Sequence, residues 1–186
     1  MNDENLVWEE ISTEHIVRDE WIDFRRSAFR FPDGRVFQPY YSYTRRDYVV
    51  IVATAGDGSL ICVRQFRQGI RQVTTEFPAS AIEKKDGQDP ALAALEAAKR
   101  ELREETGYVS DCWRPLLAIP SNATISDNYA WLFAAENCRP DAEQELDEME
   151  LLRVVKHTPG EIDSLIASGG FQQAVHALAW MLAKKK

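Results

Sequence analysis

Positive charge is in short supply in this chain of 186 residues: 22 Lys+Arg stand against 30 Asp+Glu, a formal net charge of −8. That balance excludes a protein held to nucleic acid mainly by bulk positive charge. Long apolar runs are missing as well. The longest, Tyr48-Val49-Val50-Ile51-Val52-Ala53, is far short of the roughly 20 residues a membrane helix needs, and Met1-Asn2-Asp3-Glu4-Asn5 lacks a basic leader. We therefore expect a cytoplasmic protein with no membrane partner. Cysteine is scarce: Cys62, Cys112 and Cys138 form no C-x-x-C pair and have no histidine at ligand spacing, so they predict reduced thiols rather than a disulfide framework or a zinc site. The three histidines, His15, His157 and His176, show no catalytic spacing. Repeats and low-complexity linkers are absent too, and 45% hydrophobic content suffices for a core, so the chain reads as one unit.

What is present is a succession of strands, a long helix, more strands, and then helices. Phe29-Arg30-Phe31 and Arg35-Val36-Phe37 flank the turn signal Pro32-Asp33-Gly34, which predicts a hairpin in an aromatic-rich N-terminal section. A second hairpin is predicted from Tyr48–Thr54 and Leu60–Phe66 around Gly56-Asp57-Gly58. Asp89 is a candidate N-cap and Pro90 suits the first helical position. Helix formers fill the run to Thr106, and Gly107 supplies a left-handed stop. Further strands are expected at Trp113–Ile119, Ala130–Ala135 and Leu151–Lys156, then helices from Pro159 to Gly169 and from Phe171 to about Leu182. The order argues for an α+β fold, a mixed sheet with helices on its faces, and against an alternating doubly wound sheet.

The acidic excess is concentrated in two clusters, Arg100–Glu105 and Asp141–Glu150. A solvated face is the ordinary reading of such runs. On a helix, however, Glu101, Glu104 and Glu105 fall at i, i+3 and i+4, so three like charges share one stripe. Water and nearby arginines could offset them, or bound divalent cations could. Arg100, four residues before Glu104, can neutralise one carboxylate and leave two free, and a hard cation such as Mg²⁺ takes one or two protein carboxylates. Ala94, Ala97 and Ala98 lie on or beside the same stripe, where they would let another backbone approach closely; they are also simply good helix formers.

The run Arg100-Glu101-Leu102-Arg103-Glu104-Glu105-Thr106-Gly107-Tyr108 resembles the second half of the Nudix box, R-E-U-x-E-E-x-G-U, matching every polar and glycine position. The first half departs from it: family spacing puts glycine and glutamate where this chain has Asp86 and Leu92. A gapped reading pairs Glu76-Phe77-Pro78-Ala79-Ser80 with E-x-P-A-G and Gly87-Gln88-Asp89-Pro90 with G-E-x-P. Ser80 and Gln88 then replace glycine and glutamate. Six residues are extra, and four of them fall between Gln88 and Arg100, about one helical turn. The resemblance implies a Nudix-type α/β/α sandwich over residues 47–186, preceded at 1–46 by a small antiparallel β section that serves dimerisation and base contact.

Over nearly the whole chain the resemblance is to the ADP-ribose pyrophosphatase-like branch, which implies metal-dependent hydrolysis of a nucleoside diphosphate linked to another group. It implies that Glu101 and Glu105, with the carbonyl of Ala79, hold Mg²⁺ or Mn²⁺, and that Glu104 is oriented by Arg100. Arg64-Gln65-Phe66-Arg67 looks like the branch's R-Q-[FY]-R, whose last arginine contacts the diphosphate; this points to Arg67, with Arg46 as a further phosphate contact. In Leu146–Val154 the general base falls on Glu148, with Asp147 and Glu150 as adjacent alternatives. Pro120–Asn128 stands in for the branch's P-S-P-G-x-S-D-E without its second proline, glycine and final glutamate. Trp21, Phe37 and Tyr40 suit base stacking or packing at a homodimer contact. ADP-ribose or a related nucleotide sugar is the implied substrate, with a GDP-mannose-type sugar or a non-catalytic nucleotide sensor as the alternatives. The acidic site and an anionic substrate become compatible once divalent ions invert the local charge.

Overall fold

The computed structural model describes residues 6–148 and 150–185. Three antiparallel strands open it, β1 (Glu9–Arg18), β2 (Asp23–Arg30) and β3 (Val36–Thr44), in the order β1-β2-β3. The expected hairpin joins β2 to β3: Gly34, at φ +88°, donates its N–H to the Phe31 carbonyl at 2.9 Å, and Arg30 pairs with Val36. This compact unit extends to Arg46 and takes in Pro120–Tyr129 as well. Asp127 accepts from Arg25 at 2.8 Å and from Thr44 at 2.6 Å, and the Tyr43 N–H donates to the Ile125 carbonyl at 2.8 Å.

The second unit is built on a seven-stranded sheet of β4 (Tyr48–Ala55), β5 (Leu60–Arg67), β6 (Gln72–Glu76), β7 (Tyr108–Val109), β8 (Cys112–Pro120), β9 (Tyr129–Pro140) and β10 (Leu152–His157). The strand path is β10-β5-β4-β9-β7, with β6 on β5 and β8 on β9. The sheet is mixed, because β4 runs parallel to β9 while β5 is antiparallel to β4, β6 and β10. The apolar run of β4 is buried on both faces, as a central strand of such a sheet must be. Its alternation divides the core. Val49, Ile51 and Ala53 pack with Ala94, Ala97, Ala98 and Leu102 of α1 (Pro90–Thr106). Val50 and Val52 pack toward Ile162 of α2 (Pro159–Ala167), toward Phe171, and toward Ala179 and Trp180 of α3 (Ala174–Ala183). This is the three-layer α/β/α arrangement that the sequence implies.

Helix α1 begins and ends where its caps require. Asp89 accepts from the Ala91 and Leu92 N–H groups at 3.1 and 3.0 Å, and Pro90 occupies the first turn. The helix runs unbroken past Arg100, so the four extra residues before Arg100 lie within it. Ala94, Ala97 and Ala98 are fully buried against the sheet, which is the close approach their size permits. Strand β6 and the short 3-10 turn Lys84–Asp86 do not follow from sequence pattern, since Gln72-Val73-Thr74-Thr75-Glu76 lacks apolar alternation and owes its extension to pairing with β5. The last helix starts three residues later than expected, and Phe171 is a core side chain instead.

The C-terminus of α1 is closed by the second acidic segment. Gly107, at φ +72°, caps the helix, and its carbonyl accepts from the Asp141 and Ala142 N–H groups at 2.8 and 3.3 Å. The Glu145 N–H donates to the Glu104 carbonyl at 2.9 Å and the Gln144 amide to the Glu105 carbonyl at 2.5 Å, so carbonyls that a helix end leaves without partners find donors here. A Cβ on residue 107 would lie 2.3 Å from the Ala142 carbonyl oxygen. We expect Gly107→Ala to cost on the order of 2 kcal/mol and to lower the thermal midpoint by roughly 5 °C. Circular dichroism melts of the two proteins check this, and an unchanged midpoint would contradict the interlock.

Candidate metal and diphosphate site

The buried face of α1 begins as alanine and ends as carboxylate. Ala94, Ala97 and Ala98 give way one turn later to Glu101 and then Glu105, which are 3% and 2% exposed. A helix places ionisable groups on its buried side at a cost unless something compensates. Glu105 accepts the backbone N–H of Ala79 at 3.1 Å, and Glu101 accepts from Arg100, with Ser80 close enough to favour its charged form. The carbonyls of Pro78 and Ser80 bond to Ile51 and Val49 of β4, so on this extended stretch the polar groups of the intervening Ala79 face α1.

A third carboxylate arrives from the acidic loop. Ligand oxygens of Glu101, Glu105 and Glu150 all lie within 4.8 Å of one another. Glu150 closes a tight turn in which its N–H donates to the Asp147 carbonyl at 2.9 Å and its carboxylate accepts the Asp147 N–H at 3.1 Å. Glu148 sits in that turn and is exposed. Glu104 is outside the cluster and accepts from Arg100 at 2.9 Å.

Three carboxylates this close, two of them buried, repel one another. Burial pushes Glu101 up to about 7, against the opposing pull of Arg100 and Ser80. Burial, then the charges of Glu101 and Glu150, raises Glu105 well above the carboxylate range, while the Ala79 N–H and Arg67 act the other way. A bound divalent cation removes this conflict, and an all-oxygen donor set of this kind is what Mg²⁺ and Mn²⁺ prefer. The residues present therefore fit such an ion.

Arg67, at the end of β5, supplies positive charge beside the cluster, near enough for Glu105 to influence it electrostatically. Its Nε and Nη2 reach back along the hairpin to the fully buried Glu76, at 2.9 and 2.5 Å. Burial works against ionisation of Glu76, yet the Arg67 fork and the Thr74 hydroxyl hold it below the usual carboxylate range. Gln173 approaches the same carboxylate at 3.4 Å, and the neighbouring His176, buried in α3, is driven down to about 4 by desolvation. Arg46 belongs to the N-terminal unit, where its guanidinium lies 5.9 Å from the Trp21 ring centre.

The model of the NUDIX domain matches residues 44–173, which include every residue of this cluster. The chain belongs to the Nudix family. It is 29% identical over 170 residues to the ADP-ribose pyrophosphatase of Bacillus subtilis (strain 168), covering 91% of this chain and 88% of that protein. The ADP-sugar pyrophosphatase of Mus musculus is 35% identical over 114 residues, covering 54% of this chain and 50% of that protein. A solved structure described as an ADP compounds hydrolase superposes with a TM-score of 0.80 at 22% identity, covering 96% of this chain and 92% of that one, and this likeness establishes the fold.

Against the Nudix box, the departures acquire positions. Ser80 lies beside Glu101 and favours its charged form, while Gln88 and Leu92 are exposed. Asn128, where the branch resemblance has glutamate, is buried and pairs with Ser126 and with the Arg46 carbonyl. Residue order alone does not disclose the grip of Glu76 on Arg67, or which of the loop carboxylates comes within reach of Glu101 and Glu105. The hairpin joining Arg67 to Glu76 is the one sequence signal that could have suggested the first.

The raised values have a thermodynamic sign. A carboxyl that holds its proton more tightly in the folded state than when unfolded loses stability as pH rises, from the ordinary range near 4.5 through about 7 for Glu101. The two raised glutamates outweigh His176, whose depressed value acts in the opposite sense between about 4 and the ordinary imidazole range, so metal-free protein should melt lower at pH 8 than at pH 5. Millimolar Mn²⁺ or Mg²⁺ should raise the midpoint by roughly 5 °C at pH 8 and by much less at pH 5. Scanning calorimetry at both pH values checks this, and a metal effect independent of pH would contradict it.

Proposed function

We propose that this Nudix protein is a metal-dependent pyrophosphatase acting on a nucleoside diphosphate linked to a sugar, ADP-ribose or a related nucleotide sugar. The products are a nucleoside monophosphate and a sugar phosphate. The observation that carries the reading is the convergence of Glu101, Glu105 and Glu150 beside Arg67 in a chain whose relatives include ADP-ribose and ADP-sugar pyrophosphatases.

In this reading Glu101 and Glu105, with the Ala79 carbonyl, hold Mg²⁺ or Mn²⁺. Such an ion, when bound, supplies charge neutralisation at the diphosphate and makes water a better nucleophile near neutral pH. The protein's own groups do the rest. Arg67 presents its remaining donors to phosphate oxygens, and because Glu76 already holds its fork, little rotamer freedom is lost on binding. Arg46 is a second phosphate contact in this reading. Glu104 keeps Arg100 in place. The acidic loop supplies the proton acceptor: Glu148 is the residue that the branch resemblance selects, while Glu150 is favoured by its place in the cluster. We place the protein in the cytoplasm as a homodimer. Support for the dimer is the apolar surface of the N-terminal sheet, where Trp8, Ile11, Ile16, Val17, Val36 and Phe37 are exposed in the single chain. Light scattering should give about twice 21.2 kDa, and a monomeric mass contradicts the dimer.

The test is a screen of ADP-ribose, other ADP-sugars and GDP-mannose with Mg²⁺ or Mn²⁺, reading phosphate released by a coupled phosphatase. Turnover is expected for an ADP-sugar, and none with any compound would favour a non-catalytic nucleotide sensor. Glu105→Gln should fold normally and lose turnover by orders of magnitude; near-normal activity would sink the site. Loss of about a hundredfold or more in Glu150→Gln with little change in Glu148→Gln would assign the proton acceptor to Glu150, and the reverse pattern to Glu148.

A further inference from the structure

Asp86 stands where fixed family spacing puts glycine and has no place in the gapped reading, yet its side chain is only 4% exposed and both of its oxygens are engaged. Arg100 donates to it through Nε at 2.9 Å and Nη2 at 3.1 Å, and the Glu83 N–H adds a bond at 2.7 Å that caps the short 3-10 turn. The guanidinium is thereby divided. Two of its nitrogens face Asp86, and the third, Nη1, is shared by Glu101 and Glu104. Arg100 is itself largely buried, so the split is set by these partners rather than by water.

The division matters because a guanidinium and a divalent cation compete for the same carboxylate. A free fork beside Glu101 would close on both of its oxygens, since bidentate pairing is the preferred geometry. Asp86 occupies the fork's other edge and leaves Glu101 a single nitrogen, which Glu104 shares, while an oxygen of Glu101 lies within 4.8 Å of oxygens of Glu105 and Glu150. The exposed Gln88 and Leu92 offer Arg100 no charge.

We propose that Asp86 is a positioning residue for the metal site: it holds the Arg100 fork off Glu101 and thereby keeps this carboxylate available to Mg²⁺ or Mn²⁺. The inference rests on the metal-site reading above and adds a residue that reading does not include. A purely structural role for Asp86 would lower stability without depending on Arg100.

The test is Mn²⁺ binding by calorimetry, with no substrate present, on wild type, Asp86→Asn, Asp86→Glu, Arg100→Gln and the Asp86→Asn/Arg100→Gln double variant. Asparagine can still accept the Glu83 N–H, so the turn keeps its cap. Asp86→Asn should weaken Mn²⁺ binding about tenfold, and Asp86→Glu, which keeps the charge, by less. In the Arg100→Gln background, where no competitor remains, the same change should alter affinity less than about twofold. Wild-type affinity in Asp86→Asn overturns the proposal, and so does an equal loss in both backgrounds. If Asp86→Asn fails to fold, the comparison of Arg100→Gln with its double variant decides, a tenfold difference between them overturning the proposal. Absence of Mn²⁺ binding by the wild type would instead remove the metal-site reading itself.

Discussion

Two carboxylates on the buried face of one helix are the constraint around which this molecule is arranged. Glu101 and Glu105 continue the stripe that Ala94, Ala97 and Ala98 use to seat α1 on the sheet, so their burial is the direct consequence of packing the helix. Unpaired charge in such a place is unfavourable, and neighbouring groups of the second unit moderate it. Arg100 and the Ala79 N–H meet the carboxylates directly, and Ser80 lies near enough to Glu101 to favour its charged form. What the protein does not supply locally is enough positive charge, a deficit that a divalent cation would make up.

The acidic loop answers to the same constraint. An acidic run laid against a helix already rich in glutamate would be repelled, yet it is anchored by main-chain and amide donors on the carbonyls of Glu104, Glu105 and Gly107 and by Arg103 on Asp141 and Glu145. Those carbonyls form the negative end of the helix dipole, so donors rather than acids make the contact. The anchorage delivers Glu150 into the cluster. The same logic of a buried carboxylate gripping an arginine appears twice, at Glu76 with Arg67, whose charge Glu105 feels, and at Asp86 with Arg100, which also meets Glu101.

Much of this could be read from residue order. Capping and turn chemistry are local, so the hairpin at Pro32–Gly34, the second hairpin and both ends of α1 follow from the residues themselves. The i, i+3, i+4 stripe of glutamates and its match to the Nudix box located the helix half of the site. What escaped was whatever depends on distant chain segments. Strand β6 is extended only because β5 pairs with it, and Glu76 is recognisable as a partner for Arg67 only once the hairpin is formed. The loop candidates Asp147, Glu148 and Glu150 lie within four residues, and only the turn geometry distinguishes the one that joins Glu101 and Glu105. Asp86 departs from the box at fixed spacing, and its contact with Arg100 becomes visible only once the 3-10 turn is folded against α1.

In the proposed site Glu101 and Glu105 hold a divalent cation where the diphosphate is hydrolysed, with Glu150 beside them. Anomalous diffraction from crystals grown with Mn²⁺ and a non-hydrolysable ADP-ribose analogue tests it most directly. Mn²⁺ peaks coordinated by Glu101 and Glu105, with the diphosphate between those ions and Arg67, are expected. Manganese bound only elsewhere, or a diphosphate seated away from these carboxylates, would contradict it.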